Sequence, residues 1–390
     1  MLGIGSRRNN LKVLIIHNKY KSVNIGGEDV VYKNEKKLLR KALGDDNIFF
    51  YEVSNDNLNK LRLIYEIFFS YKHYKKISEI IRINNIDIAH IHNFYPILTP
   101  GIFKAASRSR AIVVHTLHNY RLWCISGTFY RDGYGVCELC ANKFSLKGIA
   151  NKCYRKSFSQ SILSQFSFWF YRVFKLFDSV DYFFVLTNFQ KEKVLQLGIN
   201  EKRIILKPNS VNTMHNIESQ KQGYIYVGRL EESKGIFQVL DVWQNLDKKF
   251  VLTIVGVGDL EESLRLKYNQ TNIIFKGRCS KKDTLNRISK SKYLIQSSLL
   301  YETFGLTIIE AMSFGVPVIG FDIGTRSDFI YNKVNGFLSP IGNLKLTIEK
   351  SFEYDKYASL SSNAILKSKE FENNYIIKKQ IEIYRNFLKR

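Results

Sequence analysis

The chain has 390 residues, 45% of them hydrophobic, and 59 Lys+Arg against 35 Asp+Glu give it a formal net charge of +24. Domains of ~100–200 residues make two the natural division, and the composition excludes fibrous, collagenous and disordered chains. So basic a balance implies a polyanionic partner: nucleic acid, an acidic membrane surface or a phosphorylated substrate.

The first residues, Met1 to Arg8, lack a long apolar stretch and a small-residue cleavage site. No uncharged run reaches the ~20 residues of a spanning helix; residues 166–171 come nearest and are interrupted at Arg172 and Lys175. The expectation is a soluble or peripheral protein, cytoplasmic and at the inner face of the cell membrane.

In chain order, Lys12-Val13-Leu14-Ile15-Ile16-His17 reads as a short buried strand, followed by the loop Asn24-Ile25-Gly26-Gly27-Glu28 and a helix over about 29–43. Further strands are expected at 48–53, 88–92, 111–117 and 182–186, with helix-period segments between them. That alternation is what a parallel sheet with crossover helices requires. Lys207-Pro208-Asn209-Ser210-Val211-Asn212 breaks the pattern. A second series follows at 224–227, 250–255, 273–275, 293–296 and 316–321, mostly with Gly or Ser at the turns.

The reading is therefore α/β: a first Rossmann-like domain over 11–208, a connection over 209–222 and a second Rossmann-like domain over 223–372. A C-terminal helix within 373–390 is placed to cross back onto the first domain. Two doubly wound domains face each other across a cleft lined by the carboxyl ends of both sheets, where such folds hold ligands.

The most informative stretch is Glu302-Thr303-Phe304-Gly305-Leu306-Thr307-Ile308-Ile309-Glu310. Gly305 permits close backbone approach, and the first N–H groups of the following helix are free to hold an anion. The two carboxylates stand of order 10 Å apart at ~1.5 Å per residue, one able to meet a hexose and the other a ribose. Upstream, Arg229 and Lys234 flank a turn after a strand, an arrangement suited to a diphosphate. Phe275-Lys276-Gly277-Arg278 adds another strand-then-Gly turn on the same edge.

The set VGRL…SKG, IVGVGD, FKGR and YETFGLTIIEAMSFGVPVI, within a match over most of residues 12–340, resembles the large family 4 of retaining glycosyltransferases with the GT-B fold. The resemblance implies a sugar moved from a nucleotide-sugar donor, UDP- or GDP-linked, to a glycan acceptor such as a lipid-linked or surface-polysaccharide intermediate. It implies that Arg229 and Lys234 neutralise the diphosphate and that Glu302 contacts sugar hydroxyls. Backbone at Phe304, Gly305, Leu306 and Thr307 would hold sugar and phosphate, with Glu310 on the ribose and Gly277 and Arg278 near the base. The family often has paired Gly and an acidic residue where this chain reads Asp322-Ile323-Gly324-Thr325-Arg326-Ser327-Asp328, so Asp328 receives no role. No D-x-D triplet occurs, and the two cations would replace a catalytic metal.

Gly26 and Gly27 resemble the family's Gly-Gly loop, which approaches the donor phosphate or the acceptor. His118 ends the strand at 111–117 and matches a family His that contacts the donor sugar; His115 falls inside the strand and reads as core. His90, His92 and Asn93 end another strand and are assigned to the acceptor side. Cys124, Cys137, Cys140 and Cys153 are spaced C-x12-C-x2-C-x12-C within an insertion over 124–153. Four thiolates suit a structural zinc, and an iron–sulfur cluster fits the same ligands.

Two other readings use some of these features. A GT-B nucleotide-sugar epimerase or glycan phosphorylase shares the fold. A nucleic-acid-binding protein would explain the charge, but the cations are scattered and no nucleic-acid motif occurs. The aromatic, basic stretches 63–76 and 158–175 suit contact with an anionic membrane.

Overall fold

The computed structural model describes residues 11–22, 26–141, 144–213 and 220–389; Asn24 and Ile25 of the glycine loop lie outside them. The strands are β1 (Val13–Lys19), β2 (Ile48–Ser54), β3 (Ile88–Asn93), β4 (Ile112–Thr116), β5 (Tyr130–Arg131), β6 (Gly135–Val136), β7 (Tyr182–Val185) and β8 (Ile204–Leu206). They continue as β9 (Tyr224–Val227), β10 (Leu252–Val255), β11 (Ile273–Gly277), β12 (Tyr293–Gln296), β13 (Val318–Phe321) and β14 (Gly336–Ser339). One six-stranded sheet runs β2-β1-β3-β4-β7-β8, and a second runs β11-β10-β9-β12-β13-β14. Every pairing within them is parallel; β5 and β6 form a separate antiparallel hairpin.

Each sheet is covered on both faces, which is why its strands read as continuous apolar runs. In β1, Leu14 and Ile16 face a core shared with Ala89, Val113, Phe103 and Phe168. Val13 and Ile15 face the other core, with Val114, Phe184, Ile377, Ile381 and Tyr384. The last three belong to the C-terminal helix Asn373–Phe387, which closes the far face of the first sheet. In the second sheet, Tyr224, Leu252 and Tyr293 pack against Trp243, while Ile225, Leu294 and Val318 pack against the helix Leu306–Ser313.

Four strands are absent from the sequence reading. β8 spans three residues, too few to show a period. β14 begins on Gly336, which reads as a turn; here a Cβ at Gly336 would lie 2.3 Å from the Val318 carbonyl, so the glycine permits close approach to β13. The β5–β6 hairpin lies within the cysteine insertion.

Asn209 and Val211, at the start of the expected connection, are buried rather than solvated. The Val211 N–H donates to the Phe371 carbonyl at 2.9 Å, tying this crossing to the second crossing near the C-terminal helix. The second sheet reverses its strand order between β9 and β12, and a crevice opens at that point beyond the strand ends.

Candidate functional site in the interdomain cleft

The loops leaving β9 and β12 build one wall. Gly235 has φ +68, and a Cβ there would stand 1.9 Å from the Ser297 carbonyl, so only glycine lets the two loops touch. That contact delivers Lys234 to Glu302, with Nζ to Oε1 at 2.6 Å, and the Ser298 hydroxyl donates to the same oxygen at 2.8 Å. Burial alone would raise the Glu302 pKa, but the Lys234 ammonium, the Arg326 guanidinium and the Ser298 hydrogen bond together bring it down to about 2.

Arg326 is completely buried and is a site residue that the sequence reading missed. It donates to the carbonyls of Phe321 at 3.2 Å and Leu300 at 3.3 Å, and to Ser298, bracing the backbone that presents Glu302. A single arginine after a glycine turn carries no signal of this in sequence.

Gly305 enters the helix Leu306–Ser313 at φ +96. Glu310 is buried one face away, its Oε1 held by Lys281 and its Oε2 buried without a partner among the described residues. Burial raises the Glu310 pKa against the opposing pull of Lys281. Lys281 follows Gly277 and Arg278 at the end of β11, so that turn and Glu310 share one corner of the cleft. Arg278 itself is exposed.

Two expected donor groups sit differently from a simple lining. The Phe304 ring is core, packed edge-on against Phe329 and Phe371 at 5.1 and 5.7 Å, so only its backbone faces the cleft side. Arg229 stands at the rim, its side chain 70% exposed and paired with Glu231 at 3.0 Å, rather than beside Lys234.

The facing wall comes from the first sheet. His118 follows β4, and its Nε2 lies 2.9 Å from His92 Nδ1, with the two rings stacked 5.1 Å apart. Burial, with the neighbouring His92, pushes the His118 pKa well below its ordinary value, so the imidazole is neutral near pH 7. A void of about 10 Å³, room for one water, lies behind it between Asn93, Tyr95 and Arg121. Asn93 is buried, its amide donating to the Asn18 carbonyl at 2.9 Å.

The glycine loop is not forced by backbone geometry, since Gly26 has φ −91. A Cβ on Gly27 would meet Leu306 at 3.9 Å, so this loop abuts the donor-side helix. The next residue, Glu28, accepts from the Tyr20 hydroxyl at 3.1 Å, and burial pushes its carboxyl up to about 8. The walls are also bridged directly. Thr303 Oγ1 donates to the His118 carbonyl at 3.0 Å, and Asp328 accepts the Phe189 N–H at 2.9 Å. Asp328 thus has a place after all, at the N-terminus of the helix Asn188–Gln196 in the other domain.

His115 and His90 lie inside the first domain. His115 Nδ1 meets the Ile91 carbonyl at 2.9 Å. His90 is fully buried and hydrogen-bonded to Tyr384 and Thr116, which removes it from the acceptor side where the strand-end position had put it. β3 runs to Asn93, so His90 sits mid-strand facing the C-terminal helix. Glu35, His90 and His92 have candidate ligand atoms within 4.8 Å of one another. The Lys207 ammonium, 2.7 Å from Glu35 Oε2, already supplies the cation that this cluster needs. Gln380 completes it with a hydrogen bond to Oε1 at 2.6 Å.

The four insertion cysteines are reduced and half-buried. Burial raises the thiol of Cys140, helped by the charges of Cys124 and Cys137, and pushes Cys153 up to about 11, helped by those of Cys124, Cys140 and Cys137. No three of these sulfurs come within 4.8 Å of one another among the described residues. The insertion reaches the second domain: the Tyr130 hydroxyl and the Gly133 N–H both donate to Glu232, at 3.1 and 2.6 Å, beside Lys234.

Residues 42–215 match the family described as Glycosyltransferase Family 4, and residues 212–364 match Glycosyl transferases group 1. An uncharacterized glycosyltransferase of Haemophilus influenzae is 28% identical over 223 residues, 52% of this chain and 60% of that protein. The O-antigen chain mannosyltransferase C of Escherichia coli is 29% identical over 131 residues, 32% of this chain and 35% of that one. The chain thus spans between about a third and three fifths of these relatives' lengths. Among solved structures, Anabaena HepE in complex with UDP-glucose superposes with a TM-score of 0.65 at 15% identity, covering 97% of this chain and 100% of that one. The matched residues, the two parallel sheets and the cleft between them agree: the chain belongs to the family 4, group 1 glycosyltransferases of the GT-B fold.

Proposed function

We propose that the protein moves a hexose from a UDP- or GDP-linked donor to a glycan acceptor, with retention of configuration and without a catalytic metal. The observation that carries the reading is the Lys234–Glu302 pair set across the cleft from neutral His118. Glu302, an anion already compensated by Lys234, is an acceptor for sugar hydroxyls. Lys234, with Arg229 drawn in from the rim, neutralises the diphosphate as it departs. The unpartnered Oε2 of Glu310 is a ready acceptor for ribose hydroxyls. That HepE was solved with UDP-glucose, and that the Escherichia coli relative is an O-antigen mannosyltransferase, support a nucleotide-sugar donor and a surface-glycan product.

In the transfer, the acceptor oxygen bonds to the anomeric carbon on the face from which the diphosphate leaves. The carbon–phosphate-oxygen bond breaks, and the acceptor proton passes to the departing diphosphate. His118, neutral, hydrogen-bonds the sugar at the reacting end without adding charge, and the protein stabilises the oxocarbenium-like centre through its fixed dipoles and carboxylates. A binding panel of UDP-, GDP- and ADP-sugars tests this. Failure of all of them to bind, or Glu310→Ala and Arg229→Ala variants that bind as the wild type does, would end the reading.

The same reading gives the insertion a structural zinc on Cys124, Cys137, Cys140 and Cys153, holding the hairpin against Glu232. Binding would draw the four sulfurs together and deprotonate them. Atomic spectroscopy on purified protein should find about one zinc per chain; a value near zero removes the site.

A further inference from the structure

The helix Phe158–Val173 is inverted in polarity. Its buried side carries Ser161, Ser164, Gln165 and Ser167 beside Phe168 and Tyr171. Its exposed side carries Phe166 at 42%, Trp169 at 46% and Val173 at 53%, at the three- and four-residue spacing of one stripe. An amphipathic helix on a water-facing surface turns its apolar stripe inward; this one turns it out. Exposed Phe144 covers the stripe, 5.7 Å from Phe166 and 6.5 Å from Trp169, with exposed Leu146 beside it in sequence. Phe170 joins the stripe to Phe68 at 5.5 Å, next to the short helix Lys60–Glu66, which exposes Leu61, Ile64 and Tyr65. Scattered apolar side chains are normal on a protein surface, but a contiguous patch is not.

Along residues 139–177 the charge has one sign, whereas the neighbouring helix Lys60–Glu66 carries the Arg62–Glu66 pair. Between Glu138 and Asp178 there is no acidic residue and there are seven Lys or Arg. Lys147, Lys152, Arg155 and Lys175 are exposed there, and Lys72 and Lys75 flank Tyr71 at the far end. Aromatic and aliphatic side chains ringed by cations match a bilayer interface with anionic headgroups. The inner side of the same helix supports the cleft, because Phe168 packs 5.2 Å from Tyr95, which lies two residues beyond Asn93.

We propose that this face docks on an anionic lipid bilayer, with the helix Phe158–Val173 lying in the interface and the acceptor side of the cleft held beside it. The proposal connects with the transferase reading by bringing the cleft to lipid-linked acceptors, but it stands on the helix polarity and charge alone. The test is co-sedimentation of the full chain with vesicles of phosphatidylcholine alone and of phosphatidylcholine mixed equally with phosphatidylglycerol. Binding is expected to the anionic vesicles, weakening as salt rises, with a blue shift of the exposed Trp169. The double variant Phe166→Ser/Trp169→Ser should lose about tenfold or more in vesicle affinity, and Lys147→Glu/Lys175→Glu should lose affinity for the anionic vesicles alone. Both should bind nucleoside diphosphate as the wild type does, which shows that they are folded. Equal binding by wild type and variants, or a lipid-free dimer that the aromatic variant dissolves, overturns the proposal. Docking by a chain that binds no nucleotide-sugar would leave it standing while sinking the transferase reading.

Discussion

Lys234 Nζ lies 2.6 Å from Glu302 Oε1, and each side chain is about one-fifth exposed. One residue follows β9 and the other β12, so the ion pair spans the reversal point of the second sheet. Glu302→Gln should lower kcat/KM by about 10²–10³-fold, the usual cost of one lost charge-stabilising group.

The same pair has a pH signature. Glu302 sits at about 2 against an ordinary 4.5, so its stabilisation is complete above 4.5 and is lost as pH falls towards 2. The gap between wild-type and Glu302→Gln urea midpoints should hold steady above 4.5 and narrow below it. A gap that ignores acid would show that Lys234 is not the partner in solution.

Glu310 offers a second test, confined to binding. Removing a ribose contact of ordinary strength costs ~1–1.5 kcal/mol, so Glu310→Ala should weaken nucleoside diphosphate binding about tenfold by calorimetry. The loss should vanish with an analogue lacking the ribose 2′ and 3′ hydroxyls. Equal losses for both ligands would place the carboxylate elsewhere.

His118 should stay neutral across the working range because burial beside His92 depresses its pKa. Its imidazole resonances should not titrate between the ordinary histidine pKa of 6.5 and alkaline pH. If His118 contacts the donor sugar as proposed, His118→Ala should reduce kcat while leaving nucleoside diphosphate affinity within about twofold. A midpoint near 6.5 would refute the buried placement.

The Glu35–Lys207 contact, 2.7 Å with both side chains under 5% exposed, anchors the crossing between domains to the first helix. Lys207→Met strands a buried carboxylate among histidines and should cost about 3–5 kcal/mol in urea unfolding. The double variant Glu35→Gln/Lys207→Met should recover much of that loss, because no uncompensated charge remains. Equal destabilisation by the single and double variants would show that packing, not charge, is the issue.

Much of the fold was legible because local rules dictate it. The strand Val13–Lys19 is covered on both faces, so its run Val13–Ile16 is unbroken apolar before His17, and the turns after such strands need Gly or Ser. The Glu302-to-Glu310 block stood out through its place on a strand–Gly–helix turn, with Arg229 and Lys234 upstream, and through its resemblance to the family's block. β14 was hidden because its first residue, Gly336, serves a neighbour in space and mimics a turn in sequence.

By itself, then, the sequence determined two α/β domains, the strand ends at which chemistry collects, and the carboxylates and cations offered there. Only the tertiary structure decided which groups meet. It paired Lys234 with Glu302, left Arg229 at the rim, put Arg326 beneath the loop, buried His90 and joined Asp328 to Phe189. It also turned the aromatic stripe of Phe158–Val173 outward. The physical reason is range: hydrophobic period and turn chemistry act within a few residues, whereas ion pairs, burial and helix orientation depend on chain segments as far apart as Glu35 and Gln380.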